Sequence, residues 1–241
     1  MRKGIASKAC TLALVGALSV GAVAFAGAGA ASAAGATGSR FPSTPKVDNP
    51  LFPLTPGTTF IYDGTTGTKK EHETVVVSRK TKAIDGIPCV QTVDTNWVAD
   101  RLIERTIDWF AQDFAGTVWY MGEYATQYKH GQPVGHTGSW KAGKDGAKAG
   151  IIMEAAPRGG DTYHQEDYPG QAEDMGKVLA VDASVSTPYG TWIDEALLTK
   201  DYSQIEPGAE HKYYVPGIGL VKSIDVAGGS EVMELTGLVR G

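Results

Sequence analysis

The sequence has few cysteines and no excess of positive charge, and each shortage excludes a class of protein. Only Cys10 and Cys89 are present. Because Cys10 lies in an N-terminal leader, one cysteine remains after leader removal, and an intramolecular disulfide is excluded. The chain carries 22 Lys and Arg against 27 Asp and Glu, a formal net charge of −5. A nucleic-acid binder needs a basic patch to replace phosphate counterions, so no nucleic-acid partner is expected.

The leader is indicated by residues 1–33. Positive charges precede an apolar run and a small-residue cleavage pattern, at Arg2, Lys3 and Lys8, residues 11–25, and Ala31-Ser32-Ala33. This order is typical of a secretory signal peptide, so we expect a secreted protein, extracellular or in the cell envelope. Residues 34–48, rich in Gly, Ser, Thr and Pro, predict a flexible spacer. No later run approaches the roughly 20 apolar residues of a membrane span, so none is expected after cleavage.

Sequence motifs of catalysis are missing as well. The chain has no G-x-S-x-G elbow, no glycine-rich phosphate loop and no H-E-x-x-H zinc motif. Cys89 lies in an apolar, strand-like stretch, so we expect a buried small side chain and not a nucleophile. These absences favour a non-enzymatic protein that needs no cofactor.

Strand signals dominate the remaining sequence. Short β-rich runs are separated by turns such as Asp63-Gly64, Asp85-Gly86 and His130-Gly131, and Asp-Gly provides the positive φ that tight hairpins require. The pattern predicts a mainly β fold with a single domain over residues 49–241. We expect an antiparallel meander that forms a curved sheet, half-barrel or barrel. Helical spacing of apolar residues over 172–180, with acids in the first turn, predicts one short helix.

Aromatic residues are concentrated around the predicted hairpin loop at residues 113–116. Pairing counted outward from that loop places Trp109 opposite Tyr120. The same register places Phe110 opposite Trp119, so large aromatic side chains occupy both faces of the sheet. A sheet with one face in solvent does not need large aromatic side chains on both faces. The hairpin therefore either packs inside a core or forms the wall of an apolar pocket.

Several distinctive sequence segments are spread over nearly the whole chain after the leader. They are D-W-F-A-Q-D at 108–113, G-T-V-W-Y-M-G-E at 116–123, G-S-W-K-A-G at 138–143, H-K-Y-Y-V-P-G-I-G-L-V at 211–221, and shorter stretches at 53–57, 150–153, 163–166 and 172–175. Together they resemble a family of secreted bacterial proteins of unknown function that is common in actinobacteria. The last segment is also similar to the curved-sheet architecture of LolA-type lipoprotein carriers. The resemblance implies a secreted β-rich protein and transfers no activity.

We expect a secreted, non-enzymatic binding module that holds an apolar or amphipathic molecule in a concavity of the sheet. Aromatic side chains would form the wall and polar side chains would orient the ligand at the rim. The residues expected at this site are Trp109, Trp119, Tyr120, Glu123, Trp140, Tyr163, Glu166, His211 and Tyr213.

Two other functions remain open at this point. A metal- or carboxylate-dependent hydrolase would use acids and histidines that suit zinc, manganese or copper, and the weak candidates are His164, Glu166, Glu173, Asp174 and His211. Their spacing matches no known metal motif, and catalysis requires that they converge within about 3 to 4 Å of one point. A structural or interaction protein of the cell envelope would instead have an interior filled by its own side chains.

Overall fold

The computed structural model describes residues 40–241, and in this range all regular secondary structure is β. The predicted signal peptide lies outside the described residues. No described residue belongs to a helix that is long and apolar enough to cross a membrane. The strands are β1 (Thr59–Thr66), β2 (Lys69–Ile84), β3 (Ile87–Val98), β4 (Arg101–Gln112), β5 (Val118–Lys129), β6 (Gln132–Gly135), β7 (Trp140–Lys141), β8 (Lys148–Met153), β9 (Thr162–His164), β10 (Glu166–Asp167), β11 (Asp174–Thr187), β12 (Gly190–Ser203), β13 (Ala209–Val215), β14 (Gly219–Ala227) and β15 (Glu231–Val239).

The strands form one antiparallel sheet that is nearly closed into a barrel. The path is β10-β8-β5-β4-β3-β2-β1-β15-β14-β13-β12-β11-β9, and β6 and β7 add to β5. Its two ends, β9 and β10, are consecutive in the chain, with β9 paired to β11 and β10 paired to β8. Between them the backbone N–H of Gln165 donates to the carbonyl of Asp174 at 2.7 Å. The single seam therefore lies at residues 162–167, and the predicted mainly β meander is confirmed.

The predicted short helix at residues 172–180 is wrong, because most of this segment belongs to β11. The inward-facing Val178 is 1% exposed, and Met175, which faces the other way, is 6% exposed. When both faces of a strand are buried, apolar residues can occur three positions apart, which is also the spacing on one face of a helix. Gly176 leaves room for a ring, since a Cβ atom there would lie 2.5 Å from Cε2 of Tyr163.

The predicted register of the aromatic hairpin is wrong by one residue. Phe110 pairs with Tyr120 and not with Trp119, and a bulge then places Trp109 opposite Gly122. The cause is a longer loop, in which the Asp113 carboxylate accepts hydrogen bonds from the backbone N–H groups of Ala115 and Thr117, both at 3.0 Å. Aromatic side chains still occupy both faces, with the rings of Phe110 and Tyr120 stacked inside the barrel at 5.0 Å.

Gly122 at this bulge has φ of 132°, and a Cβ atom would lie 2.5 Å from the carbonyl oxygen of Trp140. We expect Gly122→Ala to lower the free energy of unfolding by about 2 to 3 kcal/mol, from backbone strain and overpacking. The control is Gly131→Ala, whose φ is also positive, at 76°, but whose Cβ would meet nothing within 4 Å. That control should cost about 1 kcal/mol. Equal decreases in the free energy of unfolding of the two variants, measured by urea denaturation, would contradict the close approach of Gly122 to Trp140.

The inward-facing side chains change character along the strands. On β3, Val90 faces inward near one end of the barrel, whereas Asp94 and Asn96 face inward toward the other end. The same change occurs on β2, which runs antiparallel to β3. Val77 lies toward the apolar end of the barrel, and the buried Glu73 lies toward the polar end. The barrel interior thus has an apolar end and a polar end, and the candidate site lies where they meet.

Candidate functional site

A cavity of about 100 Å³ lies inside the barrel between the apolar and polar ends. Its half-buried lining residues form an apolar mouth, namely Phe52, Pro53, Ile218 and Leu220. Its walls are largely apolar and aromatic, with Leu54, Phe60, Tyr62, Val75, Phe110, Ile152, Tyr214 and the backbone of Gly219. Its floor is polar and consists of Glu73, Thr92, Asp94, Thr106, Asp108 and Lys212.

A strap formed by residues 47–54 provides one side of the mouth. The side-chain amide of Asn49 donates to the carbonyls of Gly116 at 2.9 Å and Glu154 at 3.0 Å. On the other side of the mouth, the backbone N–H of Gly217 donates to the carbonyl of Pro50 at 2.7 Å. Val47 is buried, so contacts with the barrel begin within the predicted spacer. Because the strap is held at both sides, the mouth is formed before any ligand arrives.

Two carboxyl groups on the cavity floor, those of Glu73 and Asp94, are hydrogen-bonded to each other. Burial raises the pKa of Glu73 to about 7, assisted by the charge of Glu71. Burial and the charge of Glu73 raise the pKa of Asp94 well above its usual value. Two buried carboxylates in contact repel each other, so the pair shares a proton near neutral pH.

The third acid of the floor, Asp108, belongs to a hydrogen-bonded network around Tyr120. The Tyr120 hydroxyl lies 2.7 Å from Oδ1 of Asp108 and 2.9 Å from Oε2 of Glu123. The Thr92 hydroxyl donates to Oδ2 of Asp108 at 3.2 Å. Burial raises the pKa of Asp108 to about 6, against the opposing effect of these hydroxyl donors. A hydroxyl has one hydrogen, so Tyr120 cannot donate to both carboxylates at once.

Lys212 is the one basic side chain that is buried among residues 40–241, against eleven buried acidic side chains. Its Nζ lies 3.0 Å from Oδ2 of Asp201 and 3.6 Å from Oε2 of Glu210. Both partners are acidic, and the lysine charge also opposes the raised pKa of Glu73, so one buried cation is shared among several acids at this end of the barrel. The polar end of the barrel therefore carries an excess of hydrogen-bond acceptors and of negative charge.

Five of the predicted site residues lie inside the barrel but do not line the cavity. Tyr120, Glu123, Trp140, Tyr163 and Glu166 are all buried. The indole of Trp140 packs edge-on against the Tyr120 ring at 5.3 Å and donates to Oε1 of Glu166 at 2.8 Å. Burial, with the charge of Asp174, raises the pKa of Glu166 well above its usual value. These residues form a packed cluster beside the cavity, which they support through the Tyr120–Asp108 contact.

The other four predicted site residues face away from the cavity. The Trp109 ring lies under the ammonium of Lys82, 4.5 Å from its centroid, and the Trp119 ring lies under the guanidinium of Arg40 at 4.3 Å. His211 and Tyr213 alternate along β13 with the buried Glu210, Lys212 and Tyr214, and therefore point to the outer face. Their aromatic surface is not available to a ligand in the cavity.

The five weak metal candidates do not form one cluster, although Glu166 and Asp174 are close enough to interact electrostatically. No three His, Cys, Asp or Glu side chains among the described residues are placed to hold a metal ion. The chain crosses the seam between His164 and Glu166, which leaves His164 exposed and Glu166 buried. Glu173 instead accepts a hydrogen bond from the backbone N–H of Gly170 at 2.5 Å. The convergence that the hydrolase hypothesis requires is therefore not present in this part of the chain.

The floor of the cavity was missed by sequence reasoning, since Glu73, Asp94, Asp108 and Lys212 were not among the predicted site residues. One signal was present, namely polar residues at every second position of β3 from Thr92 to Asn96. Cys89 is buried as expected, and burial raises the pKa of its thiol to about 12. A thiol in that state is a packing side chain and not a nucleophile.

Comparison with known proteins yields similarity of structure and none of sequence. No protein-family model matches the chain, and no curated protein matches it. One similar solved structure is a protein with a YmcC-like fold from Bacteroides fragilis that is thought to be exported, with a TM-score of 0.44, 13% identity and coverage of 79% of this chain and 99% of that one. Another is thought to be a lipoprotein, from Parabacteroides distasonis, with a TM-score of 0.42, 12% identity and coverage of 78% and 98%. The resemblance to actinobacterial proteins stays a prediction.

Proposed function

We propose that the protein is a secreted, non-enzymatic binding module that holds a small amphipathic molecule in the barrel cavity. The observation that carries the proposal is the cavity itself, which combines an apolar mouth and aromatic walls with a small set of polar groups on its floor. This combination is typical of sites that bind small organic molecules. The N-terminal leader supports secretion to the cell envelope or the medium.

The size of the cavity limits the buried part of the ligand. An engineered protein cavity of about 150 Å³ binds benzene, and the cavity here is about 100 Å³. The buried part of the ligand should therefore be no larger than a single ring or a short chain, and any larger part would emerge through the mouth beside the strap. The apolar portion would contact Phe60 and Phe110, while its polar end would reach the floor.

Benzyl alcohol is a suitable probe because it joins one ring to one hydroxyl group. We expect it to raise the thermal unfolding temperature of the protein in a concentration-dependent manner, since a ligand that binds only the folded state stabilises it. Val75→Phe places a ring in the cavity lining and should abolish this increase. Val76→Phe is the matched control, because Val76 is the next residue on β2, is 38% exposed and faces outward; it should leave the increase unchanged.

Native mass spectrometry of the protein purified without detergent provides a second test. An organic-extractable mass excess on the wild type and on Val76→Phe, but not on Val75→Phe, would support the proposal. If benzyl alcohol stabilises neither the wild type nor the control, or stabilises Val75→Phe equally, the cavity is not a binding site. A structural module of the envelope would then be favoured.

A further inference from the structure

We infer that the polar end of the ligand is a cation, a primary ammonium or amidinium group that donates hydrogen bonds to Glu73 and Asp94. The inference rests on the proposed function and specifies the chemical class of its ligand. It is based on three features of the interior: the charge of the cavity floor, the shortage of hydrogen-bond donors beside it, and the aromatic wall above it.

The floor of the cavity favours a positive group over a negative one. Glu73, Asp94 and Asp108 all line the cavity. The only lysine there, Lys212, is already within 3.0 Å of Asp201 and 3.6 Å of Glu210. A carboxylate ligand would therefore meet three acids with no uncommitted cation to receive it, whereas an ammonium group would be surrounded by acceptors.

The layer of side chains next to the cavity floor has too few hydrogen-bond donors for its acceptors. Asn96 and Glu71 face the same interior as Asp94 and Glu73, two positions along each strand, and are 1% and 3% exposed. The Asn96 amide donates to Oε1 of Glu71 at 2.6 Å. The remaining acceptors, Oδ1 of Asn96 and Oε2 of Glu71, have no hydrogen-bond partner among the described residues. Neither residue lines the cavity, so these acceptors indicate only that the surrounding interior lacks donors. An ammonium group at the floor would supply three N–H donors without adding an acceptor.

The aromatic side chains of the wall suit a cation as well. Phe60, Phe110, Tyr62 and Tyr214 line the cavity together with the acids. The face of an aromatic ring attracts a cation electrostatically, most strongly where water is excluded. A benzylic or short-chain amine would thus place its apolar part against these rings and its charge between the rings and the carboxylates.

Binding of the cation should release a proton, because the ammonium replaces the proton that Glu73 and Asp94 share. The proton leaves the carboxyl pair for the buffer, and no covalent bond forms or breaks. Affinity for the amine should therefore rise as the pH is raised from about 5 to about 8, while the ammonium, like that of lysine, stays protonated. The ionisable groups that face the pair from the surrounding strands are Tyr62, Glu71, Glu104, Asp108, Glu210 and Lys212.

The experiment compares benzylamine, benzyl alcohol and benzoate by isothermal titration calorimetry of the full-length mature protein at about pH 8. We expect benzylamine to bind at least about tenfold more tightly than benzyl alcohol, and benzoate to bind more weakly than both. Equal affinity for the amine and the alcohol would overturn the cationic head group and leave the cavity function intact. Tightest binding of benzoate would also overturn it, whereas no binding of any probe would contradict the proposed function itself.

Asp94→Asn removes the ionisable group and keeps the shape of the side chain. It should weaken benzylamine binding about tenfold and change benzyl alcohol binding less than about twofold. Asp182→Asn, at an exposed position of β11, removes the same charge outside the barrel and should change neither. A measurement on the wild type alone complements the variant: titrations in two buffers of different ionisation enthalpy should show uptake of a proton by the buffer with benzylamine only. Absence of that difference would refute the exchange of proton for cation.

Discussion

Raising the pH from about 5 to about 8 is expected to lower the free energy of unfolding by about 3 to 6 kcal/mol, which is opposite to the usual acid denaturation. The cause is the set of carboxyl groups buried inside the barrel. Burial raises the pKa of Glu73 to about 7, of Asp108 and Asp174 to about 6, and of Glu231 to about 9. In the unfolded chain these groups return to the ordinary pKa of a carboxyl, near 4.

Between these two sets of pKa values, the folded state binds more protons than the unfolded state. The free energy of unfolding then falls as the pH rises. The stabilising contribution is fully present below about pH 4, where both states are protonated. It falls as the pH rises from there and is lost once the folded pKa values, between about 6 and about 9, have been passed. The groups interact with one another, so their losses overlap and the total is smaller than a sum over single sites.

Urea denaturation at about pH 5, 6.5 and 8 measures this dependence. Glu73→Gln should be more stable than the wild type at about pH 8 and should flatten the slope, because the neutral amide has no proton to lose. Asp182→Asn, which changes an exposed carboxylate, should follow the wild-type slope. A free energy of unfolding that is constant or rises over this range would show that the interior acids ionise at little cost, as they would if water entered the barrel.

Turn chemistry made the fold class predictable, whereas details that depend on tertiary contacts were not. Asp85-Gly86 and His130-Gly131 lie between paired strands as expected, whereas the turn expected at Asp63-Gly64 is wrong because both residues lie within β1. The two correct turns were a sufficient local signal for an antiparallel meander. The helix predicted over 172–180 failed because β11 is covered on both faces at Met175 and Val178. The hairpin register failed because the side chain of Asp113 stabilises a longer loop. Periodicity alone cannot reveal either contact.

The candidate site was harder to predict than the fold, because alternation tells which residues share a face but not which face is inside. On β3 the apolar Val93 and Trp97 face outward and the polar Asp94 and Asn96 face inward. Acidic side chains usually lie in solvent, so alternation by itself gives no indication that the polar residues of β3 face inward. On β13 the predicted site residues His211 and Tyr213 face outward, while Lys212 between them lines the cavity.

The tryptophans were misleading for a related reason. Trp109 and Trp119 are covered on the outer face by the cationic ends of Lys82 and Arg40. Arg40 comes from the segment that precedes the strap and also pairs with Asp113 at 2.8 Å. Nothing local to the hairpin indicates that a segment some seventy residues away covers it. Aromatic density in a sequence thus locates large contact surfaces without distinguishing a ligand from the chain's own side chains.

Lys212→Met is expected to lower the free energy of unfolding by about 3 to 5 kcal/mol, because it leaves Asp201 and Glu210 buried without a counter-charge. Methionine fills nearly the same volume, so the loss would report the charge and not a cavity. The control is Lys222→Met on the neighbouring strand. Its ion pair with Glu234 is 2.6 Å long, but the two side chains are 20% and 29% exposed, so its loss should be about 1 kcal/mol or less.

A double variant separates the missing cation from any local disruption around Lys212. If uncompensated charge is the cause, Lys212→Met combined with Asp201→Asn should recover part of the lost stability, because the amide removes one of the two buried charges. Asp201 also accepts hydrogen bonds from the side chain of Gln165 at 3.0 Å and from the hydroxyl of Thr199 at 2.8 Å, and the Asn oxygen can keep one of them. Additive losses in the double variant would contradict the electrostatic explanation. Recovery would show that the lysine stabilises the polar end of the barrel by limiting its negative charge.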